Sequence, residues 1–122
     1  MGFKFTKEII RLEIEDHRFE VPYNQELLVR CDEIGNAAQK VLKSKKNLTD
    51  KSFIEETKKL FRDSIDELIG AGAYDQIFEG RGYDLIENAD VLFYIIDTID
   101  AFQKKKYPAR NTSPMPKPKK KR

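Results

Sequence analysis

The side chains able to do chemistry are few in this 122-residue sequence, and they are scattered. Its single histidine, His17, stands beside Glu15 and Asp16. A histidine works as a general base or a metal ligand when a nucleophile, a second histidine or well-spaced carboxylates lie within reach. Acids adjacent in sequence would need strained local geometry to share an ion with it, so His17 reads as a solvated turn residue. Cys31 is the only cysteine, which excludes an intramolecular disulfide and a cysteine-rich zinc site. It falls on an apolar helical stripe with no histidine nearby in sequence to activate it, and so reads as a small core hydrophobe. Gly70-Ala71-Gly72-Ala73-Tyr74 superficially matches a phosphate-binding loop, but it lacks the preceding buried strand, the third glycine and the Lys-Ser/Thr pair. The acids Asp63, Asp66 and Glu67 read as solvated helix faces. Asp97 and Asp100 flank an apolar stripe, yet also read as surface charge. The expectation is a protein without catalytic residues, metal or cofactor.

Charge carries more information. Residues 1–103 hold 14 basic against 21 acidic side chains, a balance of −7, whereas residues 104–122 hold 9 basic and no acidic ones. The chain is an acidic body with a basic appendage. The basic residues of that appendage, among them Lys104, Lys105, Lys106, Lys119, Lys120, Lys121 and Arg122, could neutralise phosphates. They could equally steer acidic partners or act as a solubilising tail. Without interleaved aromatics or base-reading elements, a nucleic-acid-binding accessory protein is the alternative reading. The lone cysteine favours a reducing compartment. The N-terminus lacks a signal-peptide pattern, and no stretch approaches the ~20 apolar residues of a membrane span. The sequence therefore reads as cytoplasmic.

The elements follow from periodicity. Ile10, Leu12 and Ile14 alternate with charged residues, and Phe19 and Val21 resume that period before Pro22. This predicts a β-hairpin with Glu15 to Arg18 at the bend. Phe3 and Phe5 either begin the first strand early or form a separate lead-in. Asn24 is a plausible cap for a helix whose inner face is Leu27, Cys31, Ile34, Ala38 and Val41. Gly35 weakens that helix by about 1 kcal/mol relative to alanine and would allow close approach of a neighbour. A second helix starts at Asp50 or at the Ser52–Glu55 capping box. Its inner face is Ile54, Thr57, Phe61, Ile65 and Leu68, widened by Leu60 and Ile69, and Gly70-Ala71-Gly72 ends it. A short helix at Ala73–Glu79 precedes a long one from Asp84 to Lys106, with the stripe Leu85, Ala89, Leu92, Ile96 and Ile99. Val91, Phe93, Ile95 and Phe102 broaden that stripe, so this helix is either the central one or shows a second apolar face to a partner. Pro108, Pro114, Pro116 and Pro118 end regular structure and predict a disordered Lys/Pro-rich tail over 107–122. The expected fold is α+β and mainly α: one domain over 1–106, with an N-terminal hairpin packed on three to four helices.

Three stretches also resemble a known family. They are IIRLEIEDHRFEVPY (Ile9 to Tyr23), FRDSIDELIGAGAYDQIFEGR (Phe61 to Arg81) and the apolar helix DLIENADVLFYIIDTIDAF. Together they are similar to the tail assembly chaperones of long-tailed bacteriophages and of prophages of Gram-positive bacteria, over roughly Ile9 to Phe102. The most specific element is the turn from Gly72 to Gly80, where Glu79 separates Phe78 from Gly80 and makes the turn one residue longer than the family pattern. The resemblance implies a chaperone in the host cytoplasm that coats the tape measure protein, keeps it soluble and helps tail tube protein polymerise around it. It also implies a longer form made by ribosomal frameshifting, for which the lysine runs at 104–106 and 119–121 would be the coding sites. Tyr74, Phe78, Phe93, Tyr94 and Phe102 are the candidates for the partner surface, unless they complete the core. The apolar last helix also offers a surface for homo-oligomerisation.

Overall fold

A computed structural model describes residues 2–5, 8–44 and 48–106. The tail read over 107–122, with Lys119, Lys120, Lys121 and Arg122, lies outside the described residues. The order of elements is β1 (Ile9–Ile14), β2 (His17–Pro22), α1 (Gln25–Lys43), α2 (Lys51–Ile69), α3 (Ala73–Ile77) and α4 (Leu85–Lys106). This is the expected α+β, mainly helical architecture with a leading hairpin.

The hairpin's alternation divides it into two faces. Ile10 pairs with Val21, Leu12 with Phe19 and Ile14 with His17, so one face is apolar and turned inward. Ile10, Leu12, Ile14 and Val21 are buried. On the opposite face Arg11 meets Glu20 and Arg18 meets Glu13, each at 3.3 Å and solvent-exposed, so these pairs add little to stability. The bend is tighter than the expected Glu15–Arg18. Only Glu15 and Asp16 form it, and His17 is a half-buried strand residue with its ring centroid 6.3 Å from that of Phe19.

Such a two-residue turn needs a left-handed backbone, and Glu15 supplies it at φ 55°. Glycine is the usual occupant of this first loop position when it alone takes positive φ, because a Cβ is strained there. Glu15→Gly is expected to stabilise the domain by about 0.5–1 kcal/mol and Glu15→Val to destabilise it. Urea titration of the two variants beside the wild type checks both signs.

Each helix start is chemically marked. The Asn24 side chain accepts from Leu27 N–H at 2.8 Å. For α2, Asp50 is the cap, accepting from Ser52 N–H at 2.9 Å, so the competing Ser52–Glu55 box is not the N-terminus. Asp84 caps α4 by accepting from Ile86 and Glu87 N–H at 2.9 and 3.1 Å. Between α2 and α3, Gly72 sits at φ 86°, a conformation that glycine adopts without penalty. The Asp66 carboxylate accepts from Tyr74 N–H at 2.8 Å. The glycine segment is therefore a helix-to-helix turn.

The core lies where α4 crosses beneath the hairpin and packs on α1 and α2. Phe61, Ile65, Leu92, Ile95 and Ile99 are fully buried there. Two faces are rotated relative to the sequence reading. In α2, Phe53 and Ser64 are buried while Ile54 and Leu60 are only half-buried. In α4, Ile95 is in the core and Ile96 lies at its edge. One polar cluster is enclosed. Tyr74 Oη donates to Asn88 Oδ1 at 2.6 Å, and Asn88 Nδ2 donates to the Asp84 carbonyl at 2.8 Å.

Candidate functional site

α1 and α4 run antiparallel along one side of the domain. Gly35 lies against Ile96, and the Asp100 charge reaches Cys31. Between the two helices is an open groove of about 500 Å³. Leu28, Cys31, Gly35, Phe93 and Ile96 form its apolar floor, with the fully buried Ile99 beneath it. Asp32 and Asn36 stand on the α1 rim, Asp97 and Asp100 on the α4 rim, and none of the lining residues is basic.

The floor owes its depth to Gly35. A Cβ built there would meet Ile96 Cδ1 at 3.7 Å, an ordinary contact, with nothing else within 4 Å. Alanine would therefore fit, and a mid-helix glycine is unfavourable by about 1 kcal/mol. Gly35→Ala is expected to raise stability by roughly that amount, as measured by thermal and urea unfolding. The domain's own packing does not require the glycine. What Gly35 does is leave space at the centre of the groove.

Cys31, on the same floor, is 7% exposed. Burial, then the Asp100 carboxylate, push its thiol from 9.0 up to about 11 against the opposing pull of Arg30. At neutral pH it is protonated, with roughly a hundredfold less thiolate than an ordinary cysteine. Its contribution is apolar surface.

The sequence-read partner residues do not form one surface. Phe93 is half-buried and opens onto the groove. Phe78 stacks on Tyr74, centroids 4.7 Å apart, and lines a separate hollow of about 190 Å³ beside Ile14 and Val91. Tyr94 is 46% exposed, but it faces the hairpin, where its hydroxyl donates to the Glu13 carbonyl at 3.3 Å. Phe102 packs on Tyr23 at 5.3 Å. Tyr74, 4% exposed, belongs to the core, because Asn88 holds its hydroxyl inside.

Lys104, Lys105 and Lys106, read from sequence as the start of the basic tail, form the last turn of α4. Lys104 pairs with Asp100 at 3.2 Å, while Lys106 pairs with Glu8 and lies over the Tyr23 ring. The groove residues that sequence reasoning missed as a set are Leu28, Cys31, Gly35, Ile96 and Asp32. Two signals were available: a glycine in mid-helix, and Asp97 with Asp100 flanking an apolar stripe.

Among the described residues, no group of three or more His, Cys, Asp or Glu is placed to hold a metal ion. No helix among them is long and apolar enough to cross a membrane. No curated protein and no solved structure matches the chain. A family model described as "Family of unknown function (DUF6673)" matches residues 9–122, and the chain belongs to that family.

Proposed function

We propose that this protein is a tail assembly chaperone of a long-tailed bacteriophage or prophage, acting in the host cytoplasm to bind the tape measure protein and keep it soluble until tail tube protein encloses it. The observation that carries the reading is the apolar groove between α1 and α4, with Phe93 and Ile96 on its floor and, among the described residues, no element covering it. A long helical client with repeated apolar stripes needs many grooves of this kind, each binding weakly enough to release. The resemblance over Ile9 to Phe102 supplies the client's identity. The rival reading, a nucleic-acid accessory protein, gains nothing from Lys104 and Lys106, whose ammonium groups are engaged by Asp100 and Glu8.

Co-expression tests the proposal. The tape measure protein of the same phage or prophage, insoluble alone, should become soluble and co-purify with this chain. A tape measure that is equally insoluble with and without it would overturn the reading. The frameshifted form is checked in the gene, where an A-rich slippery heptamer and an overlapping downstream frame are expected.

A further inference from the structure

We infer that the α1–α4 groove takes an amphipathic α-helix whose apolar stripe is flanked on both sides by lysine or arginine. The inference rests on the chaperone reading only for the source of that helix. The selectivity itself is argued from the groove.

Negative charge stands on both rims, with Asp32 on α1 and Asp97 and Asp100 on α4, and no positive charge lies between them. Asp100 has Lys104 as a partner at 3.2 Å. Neither Asp32 nor Asp97 is in a salt bridge among the described residues. At the Cys31 thiol on the floor, Asp100 pushes upward and Arg30, which is not among the lining residues, pulls the other way, with Asp100 the larger influence.

A ligand filling the groove must cover that floor and pass close to both rims. Both walls are helices, so a third helix laid between them can seat its side chains in the ridges and grooves they present. The lining from Phe93 to Gln103 spans eleven residues of α4, whose first and last lie about 15 Å apart at 1.5 Å per residue. That length takes about three turns of a ligand helix, anchored at i, i+3, i+4 and i+7. Gly35, midway along, leaves room for one large apolar anchor against Ile96 and Phe93. Residues flanking the stripe then face the carboxylates. Lysine and arginine suit these positions twice over, because their stems cover apolar surface while their charged ends reach the rim. Glutamate flanks would set like charges against each other.

The test uses the full-length protein and three synthetic helical peptides with one apolar stripe and flanks of lysine, glutamine or glutamate. Binding is followed by calorimetry and by amide shifts of α1 and α4. The lysine peptide should bind at least fivefold more tightly than the glutamine peptide and the glutamate peptide most weakly, with the differences shrinking between 50 and 500 mM salt. Asp32→Asn with Asp97→Asn should erase the preference while keeping the far-UV spectrum. Gly35→Gln, which fills the centre of the floor, should weaken all three peptides.

Equal affinity for the lysine and glutamate peptides, no binding by any, or indifference to Gly35→Gln overturns the inference. So does a wild-type dimer that Gly35→Gln dissociates, since a second copy would then own the groove. A tape measure kept soluble equally well by the Asp32→Asn/Asp97→Asn protein would sink this selectivity and leave the chaperone reading standing. A lysine peptide that binds in the groove, beside a tape measure that stays insoluble, would do the reverse.

Discussion

Asn88→Ala is expected to destabilise the domain by about 2–3 kcal/mol, a large loss for a surface-inconspicuous residue on an otherwise apolar helix face. Asn88 is fully buried and joins α4 to α3 by accepting from Tyr74 Oη at 2.6 Å. Removing the amide strands that hydroxyl inside the protein, where an unsatisfied polar group costs about 1–3 kcal/mol, and leaves a void. Alanine's better helix propensity recovers only ~0.5 kcal/mol. The Asp84 carbonyl loses the Asn88 side chain but keeps the Asn88 backbone N–H at 3.1 Å, so that end of the cluster is not orphaned. Tyr74→Phe should be milder, and the double variant should be less damaged than the two singles combined, with a coupling of about 1 kcal/mol. Urea titrations of the four proteins decide this. Strict additivity would mean that the bond contributes nothing.

The second large effect is a loss of stability in alkali. Burial is the main cause that pushes the Tyr74 hydroxyl from 10.0 up to about 12, assisted by Tyr83 and opposed by Arg62. Burial likewise holds the Cys31 thiol at about 11. Both groups are neutral in their favoured form, and the unfolded chain releases each proton at its ordinary value. Their contribution is fully present below pH 9. That of Cys31 is lost between about pH 9 and 11, and that of Tyr74 between about pH 10 and 12. Discounted for partial screening by solvent, each amounts to about 1–3 kcal/mol by linkage, against total stabilities of about 5–15 kcal/mol for domains of this kind. Urea midpoints at pH 8.5, 10 and 11.5 should fall steeply for the wild type. Cys31→Ala should flatten the first part of that fall and Tyr74→Phe the second. A Tyr74→Phe protein with the wild-type slope above pH 10 would refute the assignment.

The parts of this fold legible in sequence are those governed by one local period. Ile10, Leu12, Ile14 and Val21 alternate because a single face of the hairpin is buried, and the pairing register follows from that face. Errors arise where two constraints compete. His17 looked like a turn residue because Glu15, without glycine's freedom, gives no sign of taking the left-handed conformation. On α4, contacts with α1, α2 and the hairpin bury more than one stripe, so periodicity alone could not decide between Ile95 and Ile96. Tyr74 looked available to a partner because nothing local reveals that Asn88, 14 residues later, accepts its hydroxyl. The groove was legible only in fragments. Its floor joins Gly35 to Ile96, residues from separate helices whose meeting depends on the tertiary fold.

The clasp between Lys106 and Glu8 has a consequence for how the chain can be cut and extended. It brings the end of α4 beside the residue that leads into β1, across 98 positions of sequence. The polypeptide path is thus almost a ring. A short linker joining these two points, with new termini opened in the exposed Glu79–Gly82 turn, should give a circular permutant that keeps the same core. Cargo fused before β1 and cargo fused after α4 would leave the molecule from one shared corner.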